Sequence, residues 1–413
     1  MIRTEYLILG AGPAGLTVAN RLHESGKDFL LLEKENEAGG LCRSVQVDGA
    51  PFDSGGGHFL DTRNEKVTSY LFGFMPEKEW NRFKRISKIE IEDGSGEKFI
   101  DHPLESNIWQ MDIERQIQYL KAAALAGCNT GEAIPEDFVD WIYWKLGGRI
   151  AEDYMLPYNR KMFGDDLETL GTYWLEKLPN VSFEDTLRSC LTKKSYGKEP
   201  GHAHFFYPRK NGYGELWLRM ADVIKPYVKY NQCIRMIDFD NRVVITDSGE
   251  VYQGEKIVTT IPWQEMKEIK GMPEELKSKI HELKYSSIET RYFSEDVVTN
   301  AHWIYYPNPS LFYHRMLIRK NFCFDRDGLC AKGYWTETNL GRTDMISGEV
   351  RDKVHFINKY AYPLNTKNKP GIMKELLEWA QERNVYGLGR WGEHQHYNSD
   401  VTVEKAMELA ALL

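Results

Sequence analysis

The first forty residues alternate between short apolar runs and one helical pattern. Residues 6–9 form an apolar run that predicts a buried strand, and residues 30–32 predict a second strand that ends at Glu33. A glycine-rich turn at residues 10–15 separates the first strand from the predicted helix. Strand, helix and strand in this order predict a βαβ unit of a parallel sheet.

Farther along the chain, apolar positions recur first at helical spacing and then at strand spacing. Residues 107–164 are predicted to be helical because apolar residues recur there every three or four positions, at Ile117, Leu120, Ala124, Phe138, Ile142 and Leu146. Runs at 205–207, 243–246 and 256–262 predict strands, and the aromatic and β-branched stretch 285–362 predicts an antiparallel sheet. A strand at 385–390 and an amphipathic helix after residue 400 follow.

These elements predict an α/β fold with three parts. A Rossmann-type dinucleotide-binding domain is expected to be discontinuous and to comprise residues 1–100, 205–285 and 366–413. Residues 101–204 form a predicted, mainly helical subdomain inserted into it. Residues 286–365 form a predicted antiparallel β-sheet substrate domain.

Composition narrows the class of protein. The 413 residues are 42% hydrophobic and 28% charged, as in an ordinary globular protein, and the net charge of −8 argues against a nucleic-acid partner. The six cysteines show neither a CxxC pair nor zinc-ligand spacing, so we expect free thiols, a reducing compartment and no metal. We also expect no signal peptide and no membrane span, and therefore a cytoplasmic protein.

The turn after the first strand has the spacing of a dinucleotide-binding fingerprint. Gly10 allows a tight turn, Gly12 allows the backbone to approach a pyrophosphate, and Gly15 allows close packing of helix on strand. Glu33, at the end of the second strand, is suited to accept hydrogen bonds from a ribose. An acid at this position disfavours NADP but leaves NAD and FAD open.

Two further glycine clusters favour FAD. Gly39 and Gly40 follow Glu33 closely, and residues 55–57 are three glycines followed by His58. Two surface turns would be the simpler explanation, but a flavin ring needs backbone without intervening side chains at its surface. The dinucleotide-binding domain is therefore predicted to bind FAD.

These glycine motifs, together with later segments, resemble a known family. They are similar to the FAD-binding half of the flavin amine oxidase and protoporphyrinogen oxidase superfamily, and most similar to its UDP-galactopyranose mutase branch. Residues 155–163 resemble a Pro-Tyr-Asn-x-Lys-x-Trp segment of that branch, with Phe163 in place of tryptophan. Residues 206–214, 259–262 and 389–400 resemble further segments in the same order along the chain.

The resemblance implies a set of cofactor-binding residues. It places His58 in a loop against the flavin, where the residue would act in catalysis, and it places Asp400 near the ribityl chain. The predicted FAD site comprises Gly10, Gly12, Gly15, Glu33, Gly39, Gly40, Ser44, Gly57, His58, Ile234, Gly389, Arg390 and Asp400.

The resemblance also implies substrate-binding residues. Arg315 corresponds to an arginine that holds a nucleotide-sugar diphosphate, which a planar guanidinium can bind through two hydrogen bonds. It is therefore predicted to be catalytic as well as substrate-binding. The other predicted substrate-binding residues are Asn159, Phe163, Lys177, Tyr305 and His394.

Several positions depart from the mutase pattern. Lys177 stands near an arginine of the mobile loop, and His102 and Glu105 replace a tyrosine and a glutamine of a segment that contacts the nucleotide. His394 and His396 stand where tyrosines are usual. A charged Glu105 would be unfavourable beside a diphosphate unless it were paired. Together these departures put UDP-galactose itself in doubt.

Two functions from different classes follow. The first is a UDP-sugar mutase-like isomerase, in which N5 of reduced FAD is the nucleophile that interconverts pyranose and furanose forms. Its partners would be a nucleotide sugar and an external flavin reductant, either NAD(P)H or a reductase, and a homo-oligomer is compatible with the sequence. The alternative is an FAD-dependent oxidoreductase of the amine oxidase or protoporphyrinogen oxidase type, because fold does not settle function.

Overall fold

The computed structural model describes residues 1–61, 63–91, 99–175, 181–197, 202–345 and 354–413, with the backbone alone at 343–345. Its strands are β1 (Ile2–Leu9), β2 (Phe29–Leu32), β3 (Ser44–Val47), β4 (Ala50–Asp53), β5 (Leu60–Asp61), β6 (Trp80–Lys84), β7 (Ser87–Glu90), β8 (Phe99–Asp101), β9 (His204–Pro208), β10 (Val228–Lys229), β11 (Ile234–Asp238), β12 (Val243–Thr246), β13 (Val251–Thr259), β14 (Glu268–Lys270), β15 (Tyr285–Phe293), β16 (Trp303–Tyr305), β17 (Arg315–Ile318), β18 (Tyr334–Asn339), β19 (Val354–Pro363) and β20 (Val385–Gly387).

The helices lie mainly between residues 113 and 192 and at the two ends of the chain. They are α1 (Pro13–Glu24), α2 (Glu65–Phe72), α3 (Ile113–Ala124), α4 (Gly127–Thr130), α5 (Phe138–Ile150), α6 (Leu156–Phe163), α7 (Phe183–Thr192), α8 (Gly214–Val223), α9 (Glu274–Glu282), α10 (Lys369–Gln381), α11 (Gly389–Gly392) and α12 (Ser399–Leu412).

The largest sheet is built on the predicted βαβ unit. β1 lies at its centre and pairs in parallel with β2 and β13, while β10 and β20 extend the parallel part. β12, β11 and β14 complete one side. Residues 6–9 of β1 are all buried, and in β2 only Leu30 is half-buried, which explains why residues 6–9 and 30–32 are continuous apolar runs. This confirms the predicted Rossmann-type α/β fold.

A second, seven-stranded sheet has the order β19-β15-β18-β17-β16-β7-β8 and is antiparallel except for the β16–β7 pair. The predicted antiparallel stretch 285–362 supplies five of these strands. β7 and β8 come from residues below 102, a region that the sequence assigned to the nucleotide-binding domain. Both are strands of only three or four residues, so their own sequence does not indicate which sheet they join. β9 joins a separate three-stranded sheet with β5 and β6.

The helical subdomain packs on the second sheet through the face of α5 that the sequence predicts. Phe138, Ile142 and Leu146 of α5 are all buried. α3 confirms the helix predicted around Ile117, and its buried residues are Tyr119 and Ala123, while Ile117 is 46% exposed. Tyr119 is amphipathic, and its hydroxyl donates to Asp153 Oδ2 at 2.6 Å, which allows its ring to be buried.

Candidate active site

The β1–α1 turn has the geometry of a phosphate cradle. A Cβ on Gly15 would lie 1.9 Å from the carbonyl oxygen of Gly10, so helix and strand can pack this closely only with glycine there. A Cβ on Gly12 would meet only the Gly40 Cα at 3.9 Å, so this face of the turn is open. The backbone amides at the start of α1 are therefore accessible to a pyrophosphate.

The second glycine cluster folds onto this turn. The Gly39 amide donates to the Ala11 carbonyl at 2.8 Å, and a Cβ on Gly40 would lie 3.2 Å from the Gly12 Cα. Gly40 has φ +54°, which favours glycine. Two motifs some thirty residues apart in sequence thus form one surface of bare backbone.

Glu33 lies at the end of this surface where the sequence predicts a ribose. It is buried, and its carboxylate accepts the Ala11 amide at 2.6 Å and the Glu35 amide at 3.0 Å. Burial raises the pKa of Glu33, although these two amides act in the opposite direction. Ile234 lies nearby: the preceding Gln232 amide donates to the Glu33 carbonyl, and the Ile234 side chain packs in the same apolar cluster as Leu9 and Leu32.

The C-terminal segment, residues 389–400, also packs near the β1–α1 turn. A Cβ on Gly389 would lie 2.8 Å from the Ala14 Cβ at the start of α1. Arg390 donates to the carbonyls of Tyr397 and Ala361, which holds the segment before α12 in place. Asp400 lies in the first turn of α12, and its buried Oδ1 has no partner among the described residues.

The bare glycine cradle and the buried Asp400 oxygen fit a dinucleotide such as FAD. A Cβ on Gly12 would occupy the open face, and Asp400, in the first turn of α12, offers an acceptor for a hydroxyl. Gly12, Gly40, Glu33 and Asp400 would hold the group between the ends of β1 and β2 and the start of α12.

The loop before β5 carries His58 toward this region. His58 Nδ1 lies 2.9 Å from the Gly56 carbonyl, and the imidazole stacks on the Tyr213 ring at a centroid distance of 6.2 Å. Burial, assisted by Arg390, lowers the pKa of His58 to about 4, so the ring is neutral at pH 7. Ser44 links β3 to β4 and to the start of α8. Its hydroxyl donates to Asp53 at 2.5 Å and accepts a hydrogen bond from the Gly214 amide at 2.7 Å.

Glu337 links the His58 loop to Arg315. The Glu337 carboxylate accepts the Gly57 amide at 2.9 Å and receives Nε and Nη2 of Arg315, each at 2.8 Å. Burial alone would raise the pKa of Glu337, but Arg315 and His314 hold it at about 2. Sequence reasoning missed Glu337, although an acid in the middle of an otherwise aromatic and β-branched strand was an available signal.

A cavity of about 590 Å³ lies between the helical subdomain and the second sheet. Of the predicted substrate residues, Asn159, Phe163 and Tyr305 line it. Tyr305 is fixed by its hydroxyl, which accepts Arg85 Nη2 at 3.0 Å and Trp303 Nε1 at 2.9 Å. The remaining walls of the cavity are mainly polar and aromatic, with three aliphatic or thioether side chains: His102, Glu105, Trp141, Leu146, Tyr154, Met155, Tyr158, Met162, Tyr173, Trp174, Asn365, Gln395, His396, Tyr397 and Asn398.

Carboxamide side chains give this cavity both donors and acceptors. Buried Lys369 donates to Asn365 Oδ1 at 2.6 Å and to Gln395 Oε1 at 3.1 Å, so each of these amides is oriented with its NH2 group left for a ligand. Asn159 has the opposite orientation: its Nδ2 donates to the Met155 carbonyl at 2.7 Å and its oxygen is left as an acceptor.

The structure does not place His394 in the cavity. The His394 side chain is fully buried, and its Nε2 lies 3.0 Å from the Lys284 carbonyl. Burial lowers the pKa of His394 to about 4, so the ring is neutral at pH 7 and its position does not support the predicted contact to the substrate. Its neighbours Gln395 and His396 line the cavity instead.

Lys177, the remaining predicted substrate-binding residue, lies outside the described residues.

The family model for flavin-containing amine oxidoreductases matches residues 13–296, which is more than half of the chain. The chain belongs to this family. A flavin is therefore its cofactor class, and the predicted relationship is confirmed. Among the described residues, no group of His, Cys, Asp or Glu could hold a metal ion, and no helix is long and apolar enough to cross a membrane.

Individual relatives refine this relationship. A UDP-galactopyranose mutase of Mycoplasma pneumoniae is 31% identical over 91 residues, a match that spans 22% of each sequence. The crystal structure of a reduced UDP-galactopyranose mutase superposes with a TM-score of 0.87 at 20% identity and covers 99% of this chain and 93% of that one. Putrescine oxidase bound to putrescine gives a TM-score of 0.66 at 12% identity, with coverages of 99% and 98%. At these identities the structures establish the fold.

Proposed function

We propose that the protein is an FAD-dependent, mutase-like enzyme that interconverts the pyranose and furanose forms of a nucleotide-linked sugar while its flavin is reduced. The observation that carries the proposal is the set of carboxamides in the cavity. Asn365 and Gln395 offer donors and Asn159 offers an acceptor, and sugar hydroxyls both donate and accept hydrogen bonds. The extensive superposition on a mutase supports the same assignment.

Reduced flavin, when bound, supplies a nucleophile at N5 for the anomeric carbon. The protein's own part is positioning. Glu337 fixes the His58 loop through Gly57 and fixes Arg315 through two hydrogen bonds. These bonds use Nε and Nη2 of Arg315, so within the described structure Nη1 remains for a leaving diphosphate. Neutral His58 adds no positive charge beside the flavin loop.

The test is an anaerobic assay of the purified holoprotein with nucleotide-linked hexoses. We expect interconversion of ring forms, separated by chromatography, when the flavin is reduced with dithionite, and none when it is oxidised. NADPH or NADH should replace dithionite if a nicotinamide is the physiological reductant. Arg315→Lys should retain flavin and lose most turnover, since a point charge does not reproduce the guanidinium fork. Absence of conversion by the fully reduced protein with every nucleotide sugar would overturn the proposal.

One observation favours a second candidate, an oxidoreductase that acts on an amine. The cavity contains the carboxylate of Glu105 among aromatic walls, an arrangement that also attracts a cation. The two functions differ in oxygen use. An amine oxidoreductase that passes electrons to oxygen forms one peroxide per amine oxidised, whereas the isomerisation consumes no oxygen. Peroxide measured alongside sugar conversion therefore separates them.

A further inference from the structure

Glu105 is a buried carboxylate that faces the cavity without a protein partner. It lies in a single 3₁₀ turn, Leu104–Ser106, and is 9% exposed. Its own backbone amide is near the carboxylate, but no other described residue makes a hydrogen bond or ion pair with it. A buried carboxylate left in this state costs free energy, so a ligand that donates to it would be strongly favoured.

The charge balance around Glu105 supports a ligand that donates. Burial raises the pKa of Glu105, and Lys145 of α5 acts in the opposite direction from outside hydrogen-bonding distance. A group that donates two N–H bonds would offset the effect of burial and stabilise the ionised form. A group that presents acceptors would be repelled by the carboxylate.

A row of aromatic rings separates Glu105 from Arg315. Glu105 acts electrostatically on Tyr154, whose ring centroid is 5.8 Å from that of Tyr158. The ring centroids of Tyr158 and Tyr305 are 5.3 Å apart, and the positive charge of Arg315 acts electrostatically on Tyr158. A ligand long enough to reach both residues would therefore present different parts to Glu105 and to Arg315. If Arg315 meets the diphosphate, Glu105 meets a group beyond the tyrosines, and the flat walls there suit a heterocycle.

We propose that Glu105 selects a guanine base, through paired hydrogen bonds from the guanine N1–H and N2–H2 groups to the carboxylate. This rests on the proposed function, since it assigns the base of the nucleotide sugar. Among the common bases, guanine presents two adjacent donors. Uracil presents one N–H between two carbonyl acceptors, and the amino groups of adenine and cytosine adjoin a ring nitrogen acceptor, so each sets an acceptor against a carboxylate oxygen.

Titration of the FAD-loaded protein with GDP, UDP, CDP and ADP tests this proposal, with tryptophan fluorescence or calorimetry as the readout. We expect GDP to bind about 10- to 100-fold more tightly than UDP, the range for one bidentate base contact. Glu105→Gln should remove most of this preference, because an amide offers one donor and one acceptor. Glu152→Gln, at an exposed carboxylate that does not line this cavity, is the matched control and should leave the preference unchanged.

Each outcome decides the proposal. Tighter binding of UDP than of GDP by the wild-type protein overturns the guanine assignment, whether or not Glu105→Gln folds. If the reduced protein then isomerises UDP-sugars, the proposed function holds without the guanine assignment. A GDP preference that persists in folded, flavin-loaded Glu105→Gln shows that Glu105 is not the selecting residue. Binding of no nucleotide, with no isomerisation, overturns both.

Discussion

Arg315 and Glu337 face each other directly in the register of β17 and β18, and they are joined by two hydrogen bonds of 2.8 Å. The pair lies between the predicted flavin loop and the tyrosines of the cavity. Because Glu337 also accepts the Gly57 amide, one carboxylate holds both the cation and the loop. The positions of Arg315 and of the His58 loop are thus linked through one residue.

Glu337→Gln should be strongly destabilising. It removes the charge that balances a buried guanidinium, and breaking one side of a buried ion pair costs about 3–5 kcal/mol. Urea denaturation of the flavin-loaded protein should show a free energy of unfolding lowered by about this amount. Glu79→Gln, which removes a partner of Arg219 whose side chain is 36% exposed, is the control and should shift the midpoint less. Equal effects of the two variants would contradict the role given to the buried pair.

Gly12→Ala should weaken flavin binding without preventing the protein from folding. The new methyl group meets only the Gly40 Cα at 3.9 Å, so the protein can fold, but the methyl occupies the face that a pyrophosphate must approach. We expect the flavin dissociation constant to rise about 10- to 100-fold, a loss of about 1.4–2.8 kcal/mol. Flavin absorbance per protein after gel filtration measures this.

Gly371→Ala provides the control for Gly12→Ala. Gly371 lies in α10, and a Cβ there meets nothing within 4 Å. This variant should retain flavin as the wild-type protein does. If Gly12→Ala also retained flavin fully, the open face of the turn would not be the pyrophosphate site.

Local motifs could be predicted from the sequence because their geometry is set by neighbouring residues. Gly15 must be glycine because the Gly10 carbonyl, five residues away, lies against it. The acid at Glu337 was a visible signal, but its role could not be predicted, since that role depends on strand register with Arg315 and on a loop 280 residues away. The same holds for the amides of Asn365 and Gln395, which buried Lys369 orients after the chain has folded.

The error at His394 has a backbone cause. The strand predicted for residues 385–390 ends at Gly387, and α11 follows at Gly389–Gly392. His394 then adopts φ +49°, and its ring lies against Lys284 while the following residues line the cavity. Spacing along a motif does not reveal such a turn, because only tertiary packing selects the left-handed conformation at a non-glycine residue.

Buried neutral histidines should make stability fall as the pH is lowered. Burial lowers the pKa values of His58, His302 and His394 to about 4, whereas each ring is expected to titrate near 6.5 when unfolded. At these three histidines the unfolded state therefore binds more protons between pH 6.5 and 4, so their contribution to the free energy of unfolding decreases across that window. Their contribution is fully present above pH 6.5. Urea denaturation at a series of pH values measures the slope.

Single variants show which histidine contributes to this pH dependence of the free energy of unfolding. His394→Gln should remove roughly one of the protons taken up on unfolding between pH 6.5 and 4, so its slope should be shallower than that of the wild-type protein. Exposed His281→Gln should leave the slope unchanged. An unchanged slope in His394→Gln would mean that His394 is not held neutral in the folded state.

Lys369→Met should weaken sugar binding more than it slows turnover. The ammonium of Lys369 holds the oxygens of Asn365 and Gln395, and its loss frees both amides to rotate and present acceptors to the cavity. Under the proposed function, KM for the nucleotide sugar should rise about tenfold while kcat changes less, because these amides contact ground state and transition state alike. Affinity for the free nucleoside diphosphate should stay close to the wild-type value, since that part of the ligand meets other residues. An equal loss of affinity for the free nucleotide would show that Lys369 supports the whole cavity and does not specifically orient the sugar-binding amides.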